Sequence, residues 1–509
     1  MAEGQDHARR AEAESAAEDH ESNGMGKRGV SRSDHSMHDS THEMGKKQRW
    51  RMLVSHHRQT LWIWWTIIIL GIWLALSPLT FDYGQSLATP AADRTIPFSP
   101  EVRVQCMWWS DLLSGVLLVL LGWRMLTPGR PRTQWAACGV GIWLQFAPLI
   151  FWAPSPVNYL NDTLVGVLVI ALTILIPGMP GMIMMMKMGP EEPPGWSYNP
   201  SSWPQRGIMI ALGLAGWLVS RYLAAVQLGY LDHAWDPFFG EGSRRVLTSK
   251  LSESWPISDA GLGAFSYTFE FLMGWMGSPA RWRTMPWMVL FFGILVVPLG
   301  LTHIILVISQ PVVVGEWCAL CLLAALIMLP MIPLTLDEVV AMCQFMARSL
   351  RNGKPFWRTF WKGDSIEGGG PDTRSPAMAS FPRQPLQVYR AAVWGMSAPI
   401  TLVLSTVLGL WLMFAPTVVG SVDAAADNNH FVGALIITTA VIAMAEVVRL
   451  GRLFNVLLGL WLVIAPWVLV GASVVSMINT IIVGISVIIL SIPRGVIYER
   501  YGAWDRYVV

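Results

Sequence analysis

Charge is what this sequence has least of. Of its 509 residues only 14% are Asp, Glu, Lys or Arg, against about 25% in soluble domains. With 53% hydrophobic residues and a mean hydropathy of +0.44, such a chain is solvated by lipid. A formal net charge of +2 leaves no basic excess to draw nucleic acid. The start lacks the short charged-then-apolar order of a cleavable signal, so none is expected. Cysteine is scarcer still, at five residues. Two of these, Cys318 and Cys321, stand in GEWCALC (315–321) at the mouth of an apolar run.

Charge is concentrated in the head. Residues 1–59 carry few large apolar side chains to offset their ordering entropy, so this segment is expected to be a disordered cytoplasmic tail. His35, His38 and His42 in HSMHDSTH are spaced to touch a metal, but a solvated polar tail is the expected reading. The methionines of PGMPGMIMMMKMGP (177–190) are expected to be adaptable filling at a helix end rather than soft-metal ligands.

A spanning helix needs roughly 20 predominantly apolar residues. Twelve stretches qualify, near 60–81, 105–126, 134–153, 161–186, 206–228, 261–277, 285–309, 316–336, 397–420, 430–448, 453–471 and 475–493. Lys and Arg follow a one-sided pattern along the connections. They crowd the segment before the first span (Lys46, Lys47, Arg49, Arg51, Arg58), then recur at Arg130 and Arg132, Lys187 and Arg206, Arg281 and Arg283, Arg449 and Arg452, and from Arg494. The opposing loops 154–160, 421–429 and 472–476 contain none, although 82–104 and 229–260 do. The expected fold class is an all-α polytopic membrane protein of the plasma (inner) membrane with both termini cytoplasmic. Cys318 and Cys321 then lie at the extracytoplasmic edge, where thiols can be oxidised.

One phrase recurs four times: GIWLALSP (71–78), GIWLQFAP (141–148), GLWLMFAP (409–416) and GLWLVIAP (459–466). After each comes a polar residue five positions before a glycine, as in Ser110 to Gly115, Asn161 to Gly166, Asn428 to Gly433 and Asn479 to Gly484. This reads as a helix ended by proline, an outer turn, and a return helix opened by a capping residue, with glycine letting the pair approach closely. The wording resembles the SPW repeat family of bacterial membrane proteins. Ser77-Pro78 survives in the first copy and Pro466-Trp467 in the last. The resemblance implies membrane hairpins and no particular chemistry.

Between the repeat pairs the character changes. Two cysteines three apart present both sulfurs on one helix face, and a helix N-terminus favours the thiolate. Their disulfide, once reduced, holds two electrons, and a bilayer-dissolved acceptor of two electrons and two protons is a quinone. The bland alternative is a pair of buried small hydrophobes. GSRRVLTS (242–249), PISDAGLG (256–263) leading to Tyr267, and VGEWCALCLL resemble the vitamin K epoxide reductase family. That resemblance implies a bundle of four helices around a quinone (menaquinone or ubiquinone). Cys321 would face the quinone and Cys318 would exchange disulfides. Leu247 and Asp259 would line the quinone pocket under a helical lid near Ser243 to Leu251, and an outer opening would stand above Cys318.

The departures from that family are specific. Its loop cysteines fall at Ser243 and near Trp235, its quinone-bonding Asn at Asp259, and its Tyr at Ala325. With no thiol in the loop, reduction must come from another molecule, and an extracytoplasmic thioredoxin-like protein is the expected partner. Cys106 alone of the other cysteines could reach Cys318, and Cys138 and Cys343 belong to the opposite side. Arg221 and Glu270 are expected to form an ion pair between helices, the alternative being that one of them lies at the quinone or in its proton path, and His303 to be a hydrogen-bonded core residue. The domain layout expected is 1–59 tail, 60–186 SPW-like unit, 206–349 reductase-like domain, 350–396 cytoplasmic linker, 397–493 SPW-like unit and 494–509 tail. The competing reading is a scaffold or small-solute transporter that has lost catalysis.

Overall fold

The four recurring phrases build four hairpins. In the computed structural model, which describes residues 46–84, 87–91, 94, 96–175 and 189–508, all regular elements are helical. The histidines of the head and residues 177–188 of the methionine cluster lie outside the described residues. The chain divides into Met1–Ser55 and His56–Val509. A first helix, α1 (Lys46–Gln59), occupies residues expected to be disordered. Then come the hairpins α2 (Leu61–Thr80) with α3 (Pro100–Met125), and α4 (Pro131–Ile150) with α5 (Pro156–Leu175). The middle segment holds α6 (Trp203–Gln227), the short α7 (Gly242–Leu247), α8 (Asp259–Trp275), α9 (Pro286–Val314) and α10 (Ala319–Arg351). The last hairpins are α11 (Ile400–Val419) with α12 (Asp423–Ile442), and α13 (Phe454–Val468) with α14 (Val474–Ser491).

Nine helices among the described residues are long and apolar enough to cross a membrane. Helices also stand at the other three expected places, α4, α8 and α12. Those three carry Gln134 and Gln145, Glu270, and Asn429 and His430, all buried within the protein, which lowers their hydropathy.

The glycines act in pairs across each hairpin. A Cβ on Gly409 would stand 2.6 Å from the Gly433 carbonyl oxygen, and one on Gly433 would stand 2.6 Å from that of Gly409. Gly459 and Gly484 show the same relation at 2.7 and 2.8 Å, Gly71 and Gly115 at 2.7 and 2.6 Å, and Gly141 and Gly166 at 3.0 and 2.8 Å. Backbone meets backbone, which only a residue without a side chain permits.

The polar residues have another role than the one their position suggests. The return helices are capped at Ser99, Ser155 and Ser473, whose hydroxyls accept the N–H of Val102, Asn158 and Ser476. Asn161, Asn428, Asn479 and Ser110 instead lie inside their helices, where each accepts an indole N–H from the other hairpin of its unit. Trp73 donates to Asn161 (2.8 Å) and Trp143 to Ser110 (3.0 Å). Trp411 donates to Asn479 (3.0 Å) and Trp461 to Asn428 (2.7 Å). Each four-helix unit is thus cross-tied about a local two-fold axis. The prolines do not end their helices either: Pro78, Pro148, Pro416 and Pro466 sit inside the last turn. A proline there removes one N–H bond, and the helix closes within its turn.

In the middle segment α6 and α8 run antiparallel with Gly216 under the Tyr267 ring and Gly213 against Phe271. Near the basic connections, buried charges satisfy one another. Arg281 grips Glu338 through two bonds, Nε to Oε1 at 2.6 Å and Nη2 to Oε2 at 2.7 Å. Arg206 donates to the carbonyls of Gly274, Met276 and Gly277 at the end of α8. The stretch expected as a linker folds onto the same end: Gly370 pairs with Glu192, and Arg374 with Glu499 at 2.6 Å. The tail is ordered through Glu446, whose carboxylate accepts the N–H of Tyr498 and Glu499 and the hydroxyl of Tyr501.

Candidate active site

Gly315, at φ 76°, turns the chain out of α9, and four residues later α10 begins. Cys318 is the N-cap of α10, in extended conformation, and Cys321 lies in the first turn. The two sulfurs are bonded, with Cα atoms 5.2 Å apart. The N–H of Cys321 points at Cys318 Sγ (3.1 Å), so the cap places a donor on the sulfur that would carry charge after reduction. Both sulfurs thus lie on one side of the helix start, with Cys318 just outside the helix as its cap.

The expected opening above Cys318 is absent. Its relative exposure is 0%, and that of Cys321 is 7%. Both belong to an apolar cluster with Leu223, Val226, Val246, Leu247, Val307 and Leu320. The short α7 lies over the start of α10, and Phe239 stacks on Trp317 at 6.1 Å. The short α7 thus covers the cysteine pair.

Asp236 fastens it. One carboxylate oxygen accepts from the Ser243 hydroxyl (2.6 Å) and N–H (3.1 Å), and from the N–H of Ala319 at the head of α10 (3.5 Å). The other accepts from the N–H of Phe238 and Phe239. Partial burial alone would raise this acid, but those hydrogen bonds outweigh it and hold Asp236 below the ordinary carboxylate range. Lid fastening contributed by a lowered carboxylate is complete above the ordinary Asp value of about 4 and is lost as pH falls below it. Asp236→Ala should therefore speed reduction of the Cys318–Cys321 bond by a water-soluble phosphine roughly tenfold at neutral pH. Wild type should approach that rate only in acid. Equal rates for the two proteins across pH would show that Asp236 does not hold the lid.

Leu247 and Asp259 meet through a residue the sequence did not single out. Gln227 Nε2 donates to the Leu247 carbonyl (3.0 Å) and to Asp259 Oδ1 (2.5 Å), while its Oε1 accepts from Ser258. Asp259 also accepts from the Ser252 hydroxyl at 2.9 Å. Leu247 thus packs with the cysteine pair, whereas Asp259 is engaged in a polar net at the start of α8. Ala325 lies at the edge of the cysteine cluster, and Tyr267 donates to the neighbouring Ala324 carbonyl (3.1 Å).

Arg221 and Glu270 do not pair. Ser220 faces Gly263 and Gly213 faces Phe271, so the two charges stand about two helical turns apart, roughly 12 Å at 1.5 Å per residue. Arg221 lies over the rings of Tyr159 (4.8 Å) and Trp217 (5.1 Å), and Glu270 is fully buried with neither oxygen hydrogen-bonded among the described residues. His303 packs edge-on against Tyr267 at 6.4 Å and makes no hydrogen bond among the described residues. Cys106, Cys138 and Cys343 are free.

Of the residues missed, Asp236 left a local trace: an Asp before Pro-Phe-Phe-Gly is placed to cap its own turn. Its reach to Ser243 and Ala319, and the hub at Gln227, depend on tertiary packing and left none.

Residues 207–336 match the sequence model of the Vitamin K epoxide reductase family, and residues 61–175 and 399–493 match that of the SPW repeat domain. No curated protein and no solved structure matches the chain. The chain is a multi-pass membrane protein whose middle segment has the character of a thiol–quinone oxidoreductase, with a quinone-type substrate in general.

Proposed function

We propose that Cys318 and Cys321 relay electron pairs from an extracytoplasmic thioredoxin-like dithiol to a membrane quinone, menaquinone or ubiquinone. The observation that carries this reading is their bond at the cap of α10, inside the matched segment and beneath α7. A partner thiolate attacks Cys318 Sγ in line with the disulfide. The S–S bond breaks, Cys321 leaves as thiolate, and a mixed disulfide forms on Cys318. The partner's second thiol then displaces Cys318, so the partner ends oxidised and both cysteines reduced. Cys321 next delivers the electron pair to the quinone, the Cys318–Cys321 bond re-forms, and two protons go to quinol.

Leu223, Val226, Val246, Leu247 and Val307 around Cys321 suit an apolar ring. Asp259, which accepts from Gln227 and Ser252, would accept the O–H of a quinol after loosening from one of them. The loop 229–260 contains no cysteine, so the electron donor is another molecule. The charge pattern supports placing the cap at the outer face of the plasma membrane with both termini inside, and the two SPW-like units flank the reductase domain as its frame.

In this scheme the mixed disulfide is the trappable state. Cys321→Ser should accumulate an adduct between Cys318 and an extracytoplasmic thioredoxin-like protein, visible on non-reducing gels and identified by mass spectrometry. Cys318→Ser should accumulate none. An abundant, folded Cys321→Ser protein that yields no adduct under oxidising conditions would favour the scaffold reading.

A further inference from the structure

The cross-ties leave a second pair of residues facing across each unit's local axis, one position after the indole acceptors. In the C-terminal unit these are Asn429 and Thr480, both buried, with Asn429 Nδ2 donating to the Thr480 hydroxyl at 3.2 Å. The equivalent residues of the N-terminal unit are Asp111 and Asp162, both at 0% exposure. Asp111 Oδ2 accepts the Tyr83 hydroxyl at 2.5 Å. Asp111 Oδ1 and both oxygens of Asp162 receive no N–H or O–H from the described residues. Instead the two carboxyl groups lie within hydrogen-bonding reach of each other.

Two bare carboxylates cannot stand in contact in a low-dielectric core without positive charge between them. Among the described residues none is supplied. Arg103 gives its guanidinium to the carbonyls of Trp152 (2.8 Å) and Ala88 (3.3 Å), Arg221 lies over Tyr159 and Trp217, and neither forms an ion pair among the described residues. The other titratable neighbours are phenols: Tyr83 on Asp111, Tyr230 near Asp162, and Tyr159 against Tyr230 at 5.7 Å. Among the described residues no third His, Cys, Asp or Glu completes a metal cage.

Asn158 beside them is fully buried too: its Oδ1 accepts from Ser155 (2.8 Å), and its Nδ2 lies beside the Tyr83 hydroxyl that donates to Asp111. The C-terminal unit shows that the fold needs no acid at these positions, since a neutral amide–hydroxyl pair serves.

We propose that Asp111 and Asp162 bind one exchangeable proton between them, making the N-terminal unit a proton-binding module rather than only a frame. The inference rests on the acid pair alone and does not depend on the electron relay. Infrared difference spectroscopy of the full chain in nanodiscs tests it. Wild type is compared at neutral pH with Asp111→Asn/Asp162→Thr, which copies the C-terminal pair. One carboxylic-acid C=O band, shifted by deuterium, should be present in wild type and lost in the variant. Should the double variant fail to fold, Asp111→Asn alone serves, because its amide can donate to Asp162 and the same band should vanish. A difference spectrum with only ionised-carboxylate bands overturns the proposal. So does a pair whose bands respond to sodium and not to deuterium, since the charge held is then a metal cation.

Discussion

Cys318→Ala and Cys321→Ala should each bring dithiol-driven quinone reduction down to the uncatalysed rate. Each removes one half of a bond that exists only as a pair, so no two-electron carrier survives. Enzymes accelerate their reactions about 10⁶-fold or more, so a fall of at least ~10³ is expected in an assay following quinol formation. The double variant should be no worse than either single one, because residues acting as a unit are lost together. A single variant that keeps more than a tenth of the wild-type rate would remove the pair from the reaction.

Gly433→Ala and Gly409→Ala should destabilise the C-terminal unit by more than about 2 kcal/mol each, against the direction of helix propensity. Within a helix, alanine is favoured over glycine by about 1 kcal/mol, and Gly139, which has nothing within 4 Å of its Cβ position, should show that gain. At Gly433 the added carbon meets the backbone oxygen of Gly409 at 2.6 Å, and backbone cannot step aside as a side chain does. The helices must part, which also pulls Trp411 and Trp461 from Asn479 and Asn428. Thermal unfolding in detergent, with Gly139→Ala as reference, reads the effect. Equal melting temperatures for Gly433→Ala and Gly139→Ala would mean that the close approach contributes nothing.

Much of this architecture is legible in the sequence because lipid imposes long apolar helices and the repeat announces its hairpins. The close glycine pairs could be read from wording alone, as could the cysteine spacing and the family resemblance of the segment around it. What could not be read is who faces whom. The asparagines look like caps because they follow a turn, but their hydrogen-bond partners lie 33 to 88 residues away on another hairpin. Arg221 and Glu270 invite pairing by charge, yet register along α6 and α8 separates them. Cys318 was expected to be open because its chemistry needs access, and the covering residues, Phe239 and Leu247, come from a loop with no periodicity to betray its path.

The cross-tie also sets a timetable for biosynthesis. Trp73 must wait for Asn161, which is made 88 residues later, and at about 5–20 residues per second that delay is roughly 4–18 s. Until then the first hairpin sits in the bilayer held by its own glycine and apolar contacts, with an indole N–H and the Ser110 hydroxyl seeking any neighbour. The N-terminal unit can close before the reductase segment has left the ribosome. The C-terminal one closes last, so a ribosome stalled between residues 420 and 470 would release a chain with its middle segment complete and its final clasp undone.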